Sequence, residues 1–199
     1  ARAASASEAL PLDPHPGANE QFGQQIAVRL NDNVVVTDPN DSFAAASSGA
    51  VYLFNSSTGA LISALTGSAT GDSVGSGGIT QLGFGFTSDN NTNYVVSSPH
   101  WNGNTGAVTW GSGTAGVSGV VSAANSLVGS TAGDSVGSGG ITQLFMFSTV
   151  DGLPIGGNYL VLSPNWNGDA GAVTWGSGTA GVSGVVSAAN SLVGSTAGD

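Results

Sequence analysis

Apolar residues along the chain fall in short runs separated by Gly, Ser and Asn, the pattern of brief strands joined by turns. Over residues 20–71 this pattern predicts strands at roughly 24–30, 33–38, 49–54 and 60–66. Within the third, Val51 and Leu53 share one face while Tyr52 and Phe54 share the other. Turn chemistry fills the gaps: Asn31–Asn33, Asn55–Gly59, and later Asn-Gly at 102–103 and 167–168. The expected fold class is all-β.

The chain repeats itself. Residues 106–134 recur without a change at 171–199. A more divergent copy precedes them: VVVTDP at 34–39 matches YVVSSP at 94–99 and YLVLSP at 159–164, and GAVYLF at 49–54 matches GAVTWG at 106–111 and 171–176. An acidic residue opens each unit, at Glu20, Asp72, Asp134 and Asp199. The expected organisation is a lead-in or linker at 1–19, units at 20–71, 72–133 and 134–198, and the first residue of a further unit at 199. About 50–65 residues and four strands is the size of a β-propeller blade. Tandem four-stranded antiparallel blades, propeller-like and three in number, are therefore expected. Three blades do not close a ring, so both outer blades are expected to leave faces and strand edges open, either as an open array or within a larger assembly.

The stretch LDPHPGANEQFGQQIAV, followed by NVVVTDP and GAVYLFNSSTGALISAL, resembles a bacterial FG-GAP repeat. Phe22-Gly23 stands for the FG; Val36-Thr37-Asp38-Pro39 stands at the Gly-Ala-Pro, from which Thr37-Asp38 departs, and Val74-Gly75 and Val136-Gly137 replace Phe-Gly in the later units. Those units are similar to the Gly/Ser-rich repeats of large haemagglutinin-like bacterial surface proteins. The resemblance implies blades of the kind that build integrin α-chain propellers.

Charge narrows the partners. Arg2 and Arg29 are the only basic side chains against 12 acidic ones, which excludes a nucleic-acid partner and disfavours an anionic membrane surface. No apolar run is long enough to span a bilayer as a helix. Without Cys there are neither disulfides nor thiolate metal sites, and without Lys there are no Lys–Asn isopeptide cross-links. An extracellular or cell-surface location is expected, and residues 1–9 read equally as the remnant of a cleaved leader, a linker or a strand that completes another blade.

Several motifs carry candidate chemistry. GDSVG at 71–75 and 133–137 fits the nucleophile elbow, but no helical pattern follows it and His15 and His100 lie outside the repeats, so a turn between blades is expected at Ser73 and Ser135. GSGTAG at 111–116 and 176–181 fits a dinucleotide loop, yet it aligns with the Asn55–Gly59 hairpin, and a Gly-rich hairpin is expected. Asp89, Asn91 and Asn93 have the spacing of the calcium loop that the FG-GAP resemblance implies, without its Gly or a closing carboxylate. Calcium is retained only as an option there, and no cofactor is otherwise expected. Trp110 and Trp175 align with Leu53 and are expected between blades. Trp101 and Trp166 follow the second strand, and with Asn102 and Asn167 they form the candidate ligand-binding set. His15 reads as linker, and His100 aligns with Asn40 and Asn165.

The leading expectation is a non-enzymatic structural repeat, an adhesin stalk, surface layer or matrix fibre, that packs against its own kind. The alternative is a lectin-like module binding glycans through Trp101 and Trp166.

Overall fold

A computed structural model describes residues 11–27, 32–83, 92–144, 146–147, 154–155 and 157–199. The first unit is a meander of β1 (Ile26–Ala27), β2 (Asn33–Asp38), β3 (Ala50–Asn55) and β4 (Leu61–Thr66), each antiparallel to the next. The second contains β5 (Gly78–Gln81), β6 (Tyr94–Ser98), β7 (Ala107–Gly111), β8 (Gly119–Val120) and β9 (Ser126–Val128). The third contains β10 (Ile141–Gln143), β11 (Met146–Phe147), β12 (Pro154–Ile155), β13 (Tyr159–Ser163), β14 (Ala172–Gly176), β15 (Gly184–Val185) and β16 (Ser191–Val193). The molecule is all-β, with sheets of four and five strands and no closed barrel among the described residues.

Two of the two-residue strands, β8 and β15, act as straps that do not stay in their own sheets. β8 pairs in parallel with β4, and β15 in parallel with β9, so each lies along the outer edge of the preceding sheet. The four antiparallel strands expected per unit are present as β5-β6-β7-β9 and β10-β13-β14-β16, and the strap is an addition to them. It comes from the residues that separate the 112–116 hairpin from the fourth strand; the first unit, joining β3 to β4 through 56–60, has no such segment.

Both faces of the inner strands of the first two units are buried, which explains their unbroken apolar runs. Val35, Val51, Leu53 and Leu65 pack toward the second unit, against Val74, Tyr94 and Val96. On the opposite face of the first sheet, Val34, Val36, Ala50, Tyr52 and Phe54 form their own cluster with Phe22. The alternation expected in β3 is thus present, with apolar contacts on either side.

That second face is not open, contrary to the expectation for an outer blade. His15 stacks on Phe43 with ring centroids 3.8 Å apart and its Nδ1 lies 3.0 Å from the Tyr52 hydroxyl. Phe22 meets Phe54 edge-on. The lead-in reads as linker because its contacts are long-range, but residues 13–22 pack on the first sheet and act as its cap.

Candidate functional site

The surface that joins one unit to the next is built twice, and each part of it has a sequence cause. Gly49 and Gly106 form parallel bridges to Val74 and Val136. At Gly106 the backbone sits at φ +80° and a Cβ would lie 2.1 Å from the Val136 nitrogen, so only glycine lets the incoming turn approach. Those turns are the GDSVG segments. Ser73 and Ser135 adopt left-handed backbone at φ 44° and 42°, and no helix follows either, in keeping with a turn between units.

The carboxylate of each turn ties three chain segments together. Asp72 Oδ2 accepts N–H bonds from Ser68 and Ala69, and its Oδ1 accepts one from Asn102 at 2.9 Å. Asp134 does the same with Ser130, Thr131 and Asn167. Both are buried, and the N–H donors compensate what burial of the charge would cost. The strap adds backbone bonds, with Val121 donating to the Thr66 carbonyl and Val186 to that of Val128. An asparagine amide completes each joint: Asn33 Nδ2 donates to the Gly113 carbonyl and Asn93 Nδ2 to that of Gly178. The GSGTAG glycines therefore sit in hairpins, closed by bridges Ser112–Gly116 and Ser177–Gly181, that the neighbouring unit clasps.

Buried tyrosines stiffen the joint. Tyr94 crosses Gly111 and Tyr159 crosses Gly176 so closely that a Cβ on either glycine would overlap the ring. Burial pushes the Tyr94 hydroxyl up to about 12 and raises that of Tyr159 as well.

The third unit presents the same face uncovered. Leu65 and Leu127 are 0% exposed, whereas their counterpart Leu192 is 80% exposed. Leu53 is likewise fully buried and Trp110 packs against the next core cluster with its Nε1 bonded to Gly178, but Trp175 is 53% exposed. A groove of roughly 570 Å³ runs beside β16, lined by Leu162, Pro164, Val173, Leu192, Val193 and Gly194. Asp199 occupies the place of Asp134 and holds the Thr196 and Ser195 donors, which lower its carboxyl to about 2.

The candidate ligand residues lie on the turns after β6 and β13. Asn102 and Gly103, and equally Asn167 and Gly168, have left-handed backbone. Trp101 and Trp166 are half-buried and pack against the two inter-unit cores, and the Trp166 Nε1 is buried without a hydrogen-bond partner. His100 Nδ1 lies 3.1 Å from Ser76 Oγ. Of the candidate calcium loop, Asp89 and Asn91 lie outside the described residues. Asn93 turns its Oδ1 to the Gly113 N–H at 3.2 Å. Sequence reasoning missed the joint asparagines and the strap; the recurrence of Asn33, Asn93 and Asn158 one residue before each second-strand motif was the available signal.

Comparison with known families finds one that matches twice, at residues 89–138 and 155–199: a repeat of unknown function, DUF5650. No curated protein matches the chain. The similarity is thus to a repeat, and the two matched segments contain β6–β9 and β13–β16, the strands that build the joint.

Proposed function

We propose that this chain is a non-enzymatic structural repeat of an extracellular or cell-surface bacterial protein, and that its units add by packing face to face. One observation carries the reading: the face by which the first two units hold their successors is repeated, uncovered, on the third. Its occupant is another unit of the same kind, offering an Asp-Ser-Val-Gly turn to Gly171 and a Gly-Val-Val strap to β16. Recurrence of a repeat family within the chain supports this, as does the resemblance to FG-GAP and haemagglutinin-like repeats. An adhesin stalk, surface layer or matrix fibre fits an array that extends by one joint.

Partners are thus copies of the repeat, in the same chain or in a second one. Residues 13–22 cover the far face of the first sheet, so the face with Trp175 and Leu192 is the one that accepts a further unit. Mass by light scattering across a concentration series tests the self-association. Wild type is expected to grow in mass with concentration and the Trp175→Lys, Leu192→Lys double variant to hold a constant monomer mass. Wild type that stays monomeric throughout overturns the self-association between chains.

A further inference from the structure

Three carboxylates converge where the cap meets the first sheet. One oxygen each from Asp13, Glu20 and Asp38 lies within 4.8 Å of the others. Asp38, at the end of β2, is 0% exposed. Its Oδ1 accepts the N–H groups of Gln21 and Asn40, but its Oδ2 is buried with no hydrogen-bond partner. Like charges this close, one with an unsatisfied buried oxygen, are costly unless a proton or a counter-charge relieves them. None is supplied by the described side chains: Arg2 and Arg29 lie outside the described residues, and the His15 ring faces Asp41 and Tyr52.

We propose that Asp13, Glu20 and Asp38 form a binding site for a divalent, oxygen-preferring cation of calcium size that pins the cap to the first sheet. Hard carboxylate ligands without nitrogen or sulfur select this class. Ca²⁺ accepts flexible carboxylate geometry, whereas Mg²⁺ demands a near-ideal octahedron and gives up its waters reluctantly. The site differs from the Asp89, Asn91, Asn93 loop in position and in ligand charge. Because Asp13 and Glu20 belong to the lead-in and Asp38 to β2, occupancy couples the two. Desolvation raises the Asp38 carboxyl above its ordinary value, and the Gln21 and Asn40 donors oppose that shift. A bound cation offsets the same burial.

The test is calcium titration of the full chain, followed by calorimetry and by hydrogen exchange over residues 11–24, with EDTA-treated protein as reference. A saturable heat with Kd roughly 10⁻⁴–10⁻³ M, the range of extracellular calcium modules, is expected together with slower exchange in the cap. The Asp13→Asn, Glu20→Gln double variant, whose changes fall outside the strands, is expected to keep its β circular dichroism and lose both responses. Absence of heat with wild type overturns the proposal, as does a response that survives in the double variant. An equal response to Mg²⁺ overturns the assignment to a calcium-sized ion.

Discussion

Leu127 and Leu192 sit at corresponding positions in two identical 29-residue stretches, yet one is fully buried and the other is 80% exposed. Local sequence cannot distinguish them; only the next unit does. Truncating a fully packed leucine removes transfer energy and leaves a cavity, at a cost of about 2–5 kcal/mol. Leu127→Ala is therefore expected to lower unfolding stability by that amount, while Leu192→Ala in dilute protein changes it by less than about 0.5 kcal/mol. Urea unfolding of the two variants measures the difference directly, and equal losses would mean that β16 is covered in the monomer. The same contrast explains how much of the joint was legible. Trp110 was readable as an inter-unit residue because it aligns with Leu53 in an alternating strand. Asp72 and Asp134 were visible only as unit markers, since the N–H groups that they hold come from segments distant in sequence.

Strand positions in the first unit were legible where turn residues bracket them tightly: β2 spans the residues expected, β3 is shifted by one residue and β4 starts one residue late, whereas β1 starts two residues after the expected 24 and positions 28–30 lie outside the described residues. The straps were not legible, because a two-residue parallel strand in a Gly, Ser and Val context has no periodicity to detect. Capping by the lead-in was hidden for a related reason: His15 reaches Phe43 and Tyr52 across long sequence separations. At the element scale the tyrosines give a pH prediction. Tyr94 on β6 crosses β7 at Gly111, and its hydroxyl is raised from 10.0 to about 12 by burial. Folding then favours the neutral phenol, so this contribution is intact below pH about 10 and is lost as pH rises from 10 toward 12. Tyr52 and Tyr159 shift in the same direction and add to the effect. Alkaline titration followed by phenolate absorbance and circular dichroism is expected to show ionisation and loss of β signal together. Phenolate formation near pH 10 with the fold intact would contradict the burial of these rings.

At the scale of the whole molecule the three sheets form a directional stack. One end is closed by residues 13–22 and the other displays Trp175, Leu192 and the groove beside β16. Each joint combines an apolar face, a buried aspartate, a clasped hairpin and a parallel strap, so adding a unit repeats a complete set of contacts instead of extending a sheet. Stability in such an array is a sum of unit and nearest-neighbour contributions, and burial at the joint is what a successor supplies. The most direct measurement is hydrogen exchange at 191–193 in the chain as it stands and in a version lengthened by one further copy of residues 135–199. In the longer chain, exchange at 191–193 is expected to slow to the level of 126–128, the equivalent strand that already carries a strap. Exchange that stays as fast as in the original chain would mean that the face of the third unit does not accept a successor.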